Sequence, residues 1–364
     1  MAHDIEPICA DNIFSSDNFR VDYFAAANPS GALLFTFTQF SNRQLNGFGF
    51  AGHFAVNNGF DLISIKSNID DWYKTFPLNA FDRIDDYLSR QSVRHCHRAT
   101  YGSSMGGYAA IRFARNVNAN IVFAISPQFD IAQSWDRRWG AAAKATGLLH
   151  TMSDADICDT CKYVLAYDPF DLDRLHVEKF AEIIPHYSLE RIELPYAGHP
   201  VVFMLRDFGV LSKISLSVLL GGGEKAFRLT RDIRKDGREK SGLYHYNMAL
   251  HCLKRKKMKW SERAIGRALK ISPLDPQFRL LAAKIAETNN DLDEAILNAA
   301  LAMSLAPKLP YMVVVLSRLL DRKGLRKLAL HHIDNALALD ATCDLLVKHR
   351  AALIGAAAPA RAWL

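Results

Sequence analysis

A serine set between glycines opens the chemical reading. The run Arg98-Ala99-Thr100-Tyr101-Gly102-Ser103-Ser104-Met105-Gly106-Gly107-Tyr108 places a G-x-S-x-G pattern, centred on Ser104, where a strand is expected to give way to a helix. Such a junction bends the serine into a sharp, strained turn, and a side chain at Gly102 or Gly106 would strike the neighbouring strand or helix. A phosphate-binding loop would need a lysine that this run lacks. A serine at its ordinary pKa is a poor nucleophile, so it needs a histidine base and a carboxylate to orient that base. His199 fits the base, because Tyr196-Ala197-Gly198-His199-Pro200 is a loop of small residues after an expected strand. Asp168 fits the carboxylate: it opens Asp168-Pro169-Phe170-Asp171-Leu172-Asp173, just past the C-terminal edge of another expected strand, with Asp171 as the alternative. His176 and His186 read as packing or surface residues. Charge developing on a substrate carbonyl needs two backbone N–H donors. Met105, directly after the serine, would supply one, and the loop after Ala32–Thr38 the other, from Gln39 or Phe40, with Thr38 also in reach.

Positioning these residues takes a sheet. From Gly31 to about His199, short runs rich in Val, Ile, Phe and Leu alternate with segments of helical period, as in a parallel sheet with crossover helices. Strands are expected at residues 32–38, 61–66, 98–101, 120–126, 163–167 and 189–194, and helices at 69–91, 107–116, 174–184 and 201–220. Between Asp130 and Cys158 lies an insertion with Trp135, Arg137, Arg138 and Trp139. Two readings stand for it: a lid whose aromatics wall an acyl or sugar group, or a surface helix packing its tryptophans on the sheet. Cys158-x-x-Cys161 and His95-Cys96-His97 read as ordinary packing, not as a metal site, since a structural zinc site takes four ligands from paired short spacings.

The alternation stops at Gly221-Gly222-Gly223, which sets an expected boundary between residues 1–221 and 222–364. Beyond it a 34-residue period takes over. Ala268, Ala302 and Ala336 recur at that interval; Ser261, Ala295 and Ala329 precede them by seven residues, and Ala249, Ala283 and Ser317 by nineteen. Pro273 and Pro307 follow the first two by five residues, with Ala341 in the third slot. Small residues so spaced let paired helices approach closely, and proline ends the second of each pair.

Two resemblances follow from these residues. The Gly102–Gly107 elbow, with a serine, an acid and a histidine in that chain order, resembles the α/β-hydrolase superfamily over residues 31 to about 220, and Gly-Ser-Ser-Met-Gly-Gly is similar to the pattern of bacterial esterases. The resemblance implies a serine esterase working through an acyl-enzyme, with Ser104 attacking an ester of small-molecule or polymer type, His199 shuttling the proton and Asp168 holding the imidazolium. An acyltransferase on the same triad, and a non-catalytic scaffold of this fold, are the alternatives. Residues 244–342 resemble three degenerate tetratricopeptide repeats, although Cys252, Ala286 and Leu320 stand where that family favours tyrosine. That resemblance implies a protein partner or self-association. The expected fold class is therefore α/β, a mostly parallel sheet with flanking helices, followed by an all-α repeat domain.

Composition narrows the classes. The chain has 364 residues, 49% hydrophobic, enough for two cores. Its net charge of +7 divides into −5 for residues 1–221 and +12 for the rest, so the basic runs near 228–240 and 254–259 point to an acidic partner or to solvated helix faces. No specific nucleic-acid motif, no cofactor motif, no secretory start and no apolar run long enough to span a bilayer is evident, and six scattered cysteines suit free thiols. A cytoplasmic location is expected.

Overall fold

The computed structural model describes residues 10–91, 94–147, 152–221 and 237–355. The chain divides into two compact units, Met1–Glu239 and Lys240–Leu364. The expected glycine boundary reaches outside the described residues at Gly222 and Gly223.

The first unit is built on one eight-stranded sheet, ordered β1-β2-β4-β3-β5-β6-β7-β8. Its strands are β1 (Asp11–Ser15), β2 (Phe19–Phe24), β3 (Ala32–Phe37), β4 (Phe60–Ser67), β5 (His97–Ser103), β6 (Ile121–Ile125), β7 (Lys162–Tyr167) and β8 (Leu189–Glu193). From β4 to β8 every pairing is parallel, while β1 and β2 add on antiparallel. Every residue of β3 and β4 is buried, as helices on both faces require. Helices α1 (Gly52–Asn57), α2 (Asn79–Ser89), α3 (Met105–Arg112), α4 (Gly140–Thr146), α5 (Asp173–Ile183), α6 (Val202–Asp207) and α7 (Leu211–Leu219) complete the unit. Helix α3 packs on β3, β5 and β6, which holds the start of that helix over the middle of the sheet.

Three sequence expectations need correction. The β1–β2 hairpin was not anticipated: its strands are short, and its turn, Ser16-Asp17-Asn18, is polar. The helix expected over 69–91 shrinks to α2, because Trp72 and Tyr73 take left-handed backbone conformations (φ 52° and 57°) that no helix admits. The helix expected over 201–220 breaks into α6 and α7 at Gly209, whose φ is +70°.

Within the sheet, the Lys66 ammonium of β4 is fully buried, held by Asp22 Oδ2 of β2 and by the Gly47 carbonyl at 2.7 Å. Burial pushes the Lys66 pKa down; Asp22, though burial opposes it, is held below its usual value by bonds to Lys66, Asn12 and Arg20. Removing Asp22 strands the Lys66 charge in a low dielectric, whereas without Lys66 the Asp22 carboxylate keeps Arg20 and Asn12. Asp22→Asn is expected to cost about 3–5 kcal/mol in chemical denaturation and Lys66→Met less, with the double change costing less than the sum of the two.

The second unit repeats with the spacing of its sequence. Helices α8 (Gly242–Lys254), α10 (Pro276–Thr288), α12 (Pro310–Arg322) and α14 (Asp344–Ile354) alternate with α9 (Met258–Ile271), α11 (Leu292–Leu305) and α13 (Arg326–Leu339). First helices begin at residues 242, 276, 310 and 344, and second helices at 258, 292 and 326, each step being 34 residues. The small residues lie at the contacts: Ala249, Ala283, Ser317, Ser261, Ala295, Ala329, Ala268 and Ala302 are buried, and Ala336 is half-buried. Ser261 Oγ donates to the Ala249 carbonyl at 2.8 Å, so the first helical pair touches through two such positions. Helix α14 continues the period past the three expected units and packs on α12 and α13.

Candidate active site

Helix α3 begins at Met105, and Ser104, its N-cap, has φ 55° and ψ −120°, a conformation costly for a residue with a side chain. Its N–H donates to the Ile125 carbonyl at 2.8 Å. The neighbouring glycines are required on steric grounds. A Cβ at Gly106 would lie 2.5 Å from the Phe37 carbonyl oxygen, and one at Gly102 would strike the Gly106 carbonyl. The end of β3 thereby lies against the first turn of α3.

Ser104 Oγ lies 3.1 Å from His199 Nε2, and His199 Nδ1 lies 2.9 and 2.8 Å from the two carboxylate oxygens of Asp173. The carboxylate on the imidazole is therefore Asp173, the first residue of α5, and neither Asp168 nor Asp171. Asp173 is fully buried; its Oδ1 also accepts from Arg138 Nη2 at 2.9 Å. Burial would push its carboxyl up, but His199, Arg138 and the Ser126 hydroxyl outweigh burial and hold it below the ordinary value. Asp173 thus stays ionised, and its contact with Nδ1 leaves Nε2 as a proton acceptor facing the serine.

Asp168 has a different place. It is buried, with Oδ2 accepting from Gly198 N at 2.8 Å and Oδ1 from Phe170 N at 2.9 Å. It ties down the loop that carries His199. Burial pushes its carboxyl up to about 6, against the backbone N–H groups that favour its ionised form. A carboxyl raised on folding binds its proton more tightly in the native state, so its contribution is present near pH 4 and lost as pH rises through 6. From pH 4 to about 6.5, wild type should lose about 2 kcal/mol of stability relative to Asp168→Asn; parallel denaturation curves for the two proteins would refute this. Asp171 accepts from Arg138 Nη1 at 2.6 Å.

The insertion meets this site. Arg138 bridges Asp136, Asp171 and Asp173, and Asp136 also accepts at 3.1 Å from Nε2 of the buried His176. Trp135 packs on His176, whereas the Trp139 ring stands edge-on to His199, with centroids 5.3 Å apart, and also contacts Trp72 and Phe40. Tryptophan thus packs both on the unit's interior and on His199.

Two site residues left no mark in the sequence. Gln128, fully buried just past β6, has its Oε1 3.2 Å from Ser104 Oγ and 3.3 Å from Trp72 Nε1, while its Nε2 donates to the Ser126 carbonyl at 2.7 Å. Ser126 Oγ in turn accepts from Val201 N at 3.1 Å. No glycine or histidine flags this cluster; its signature is backbone strain, with positive φ at Trp72 and Ser126.

Of the backbone donors considered, Thr38 N is spent on the Ile65 carbonyl at 3.3 Å, which leaves Gln39 and Phe40 beside Met105. Gln39 also borders a cavity of about 230 Å³ lined by Phe50, Phe54, Tyr101, Val202, Phe203 and Arg206. At its wall the Tyr101 hydroxyl is paired with Ser215 Oγ at 2.8 Å.

The residues weighed for a metal have other partners: His95 Nε2 faces Asp61 at 2.8 Å, His97 Nε2 the Leu219 carbonyl at 2.6 Å, and Cys158 Sγ Thr160 Oγ1 at 3.4 Å. No cluster of metal-ligating side chains occurs among the described residues, nor any helix long and apolar enough to cross a membrane.

No family model and no curated protein matches the chain. Among solved structures, the chain is similar to the capsule O-acetyltransferase of Neisseria meningitidis serogroup A, over 60% of this chain and 97% of that one, at 11% identity and a TM-score of 0.43. It is also similar to the TPR domain of Arabidopsis OM64, over 33% of this chain and 98% of that one, at 13% identity and a TM-score of 0.29. Likewise it is similar to PilF of Pseudomonas aeruginosa, over 42% and 70% of the two chains, at 14% identity and a TM-score of 0.32.

Proposed function

We propose that the first unit is a serine acyl-transfer enzyme of the α/β-hydrolase type, acting on esters. One observation carries the reading: a strained serine hydroxyl 3.1 Å from an imidazole whose other nitrogen is held by a buried, ionised aspartate. The order serine, aspartate, histidine along the chain, with the serine on an elbow over a parallel sheet, supports the fold type. Ser104 Oγ attacks the ester carbonyl as its proton passes to His199 Nε2. Asp173 stabilises the imidazolium, while the Met105 N–H, with that of Gln39 or Phe40, receives the negative oxygen. His199 then protonates the leaving alcohol, and water or another acceptor releases the acyl group. The cavity beside Gln39 suits a small apolar acyl group.

The test is pre-steady-state hydrolysis of p-nitrophenyl acetate. A burst of one p-nitrophenol per chain, lost in Ser104→Ala, is the expected result; a well-folded wild type with neither burst nor turnover would contradict it.

The repeat unit is proposed to bind an acidic protein partner. A cavity of about 350 Å³ lined by Trp260, Arg263, Arg267 and Lys270 supports this, with Arg263 lying over the exposed Trp260 ring. Binding of a poly-glutamate peptide that weakens with salt and with Arg263→Glu is expected; salt-independent binding would refute it.

A further inference from the structure

We infer, on the acyl-transfer reading above, that Gln128, Trp72, Trp139 and Phe40 form an acceptor subsite that takes a vicinal diol, Gln128 Oε1 receiving the hydroxyl next to the one that reacts.

Gln128 Nε2 is committed to the Ser126 carbonyl, which fixes the amide so that its oxygen faces Trp72 and Ser104. That oxygen has two lone pairs, one directed to the Trp72 indole N–H and the other toward Ser104 Oγ. Ser104 has one hydrogen, which the acyl-transfer reading gives to His199 Nε2, and none once it is acylated. In both states a fully buried acceptor is left open beside the reacting carbon, and leaving it unmade is costly. Because Gln128 Oε1 and His199 Nε2 lie 3.2 and 3.1 Å from the same Ser104 oxygen, one incoming molecule can address both. Its reacting O–H donates to His199 and its neighbouring O–H to Gln128.

Water could make the same two bonds, but the walls favour a carbon skeleton. Trp72, Trp139 and Phe40 contact one another with ring centroids 5.3 to 5.4 Å apart, and Trp139 also lies against His199. Trp139 Nε1 is buried without a hydrogen-bond partner, a donor left over for an acceptor's oxygen. The left-handed backbone at Trp72 holds that ring where an ordinary turn would not.

In the step itself, the acceptor oxygen bonds to the acyl carbon and its proton moves to His199 Nε2. The bond from the acyl carbon to Ser104 Oγ then breaks as His199 returns the proton to Ser104. Diol and acyl-enzyme become diol monoester and free enzyme, with no oxidant or reductant.

The test uses the full chain acylated by p-nitrophenyl acetate in equal concentrations of 1,2-propanediol and 1-propanol, with both acetates quantified. Wild type should form the diol acetate about tenfold faster per hydroxyl, Gln128→Met should bring the ratio to about one, and Gln128→Glu, which keeps an acceptor oxygen, should retain a preference. A ratio near one in wild type, or an unchanged ratio in Gln128→Met, overturns the subsite while leaving the acyl-enzyme in place. Failure to acylate at all overturns the acyl-transfer reading and this inference together.

Discussion

On the proposed acyl-transfer reading, Asp173→Asn should lower kcat about ten-thousandfold, as loss of the orienting carboxylate does in Ser-His-Asp enzymes. The cause lies in what already surrounds Asp173. Arg138 and the Ser126 hydroxyl both donate to it, so an asparagine there turns its oxygen to Arg138 and its NH2 to His199 Nδ1. The imidazole must then carry its hydrogen on Nε2, where it cannot take the Ser104 proton. Asp168→Asn acts only by loosening the loop of Gly198 and His199, and a displacement of about 1 Å costs up to about a hundredfold. Steady-state kinetics on the two variants separate the roles. Equal losses, or the larger loss at Asp168, would be inconsistent with the geometry.

Gly106→Ala, like Gly102→Ala, should be among the most damaging single methyl groups in the first unit. Its Cβ would meet the Phe37 carbonyl oxygen at 2.5 Å and the Thr38 carbonyl oxygen at 3.2 Å, both backbone atoms of a fully buried strand end. Neither can rotate aside, so α3 must lift from β3. The expected cost is about 3 kcal/mol or more in stability. Activity should fall by about a hundredfold or more even in the folded fraction, because the lift separates the Met105 N–H from the loop holding Gln39 and Phe40. Thermal denaturation and active-site titration measure the two effects apart. Gly140→Ala, where a Cβ meets nothing within 4 Å, is the control.

Parts of this site could be read from the sequence because they rest on backbone constraints that only certain residues satisfy. The elbow needed glycine at 102 and 106, and the histidine loop turns through Gly198 at φ +69°, so Ser104 and His199 were found where the structure brings them together. The acid was harder, because Asp168, Asp171 and Asp173 fall within six residues. Which of them reaches the imidazole depends on where α5 starts. Asp168 ends up under the loop, engaged by Gly198 and Phe170, and the first residue of the helix faces His199. Gln128 and Trp72 were invisible for a related reason: strained, non-glycine backbone at Trp72 itself, and at Ser126 two residues before Gln128, is not announced by composition. In the repeat unit, by contrast, close helix contacts admit only small side chains, so a spacing of 34 residues in the sequence became a spacing of 34 residues in the helices.

The central claim is that Ser104 is a nucleophile activated by His199. The most direct measurement is labelling of the full chain with a fluorophosphonate probe, followed by peptide mass mapping. Stoichiometric modification of Ser104, abolished by Ser104→Ala and strongly slowed by His199→Ala, is the predicted result. A folded wild-type protein left unmodified at Ser104, or labelled equally fast without the histidine, would contradict it.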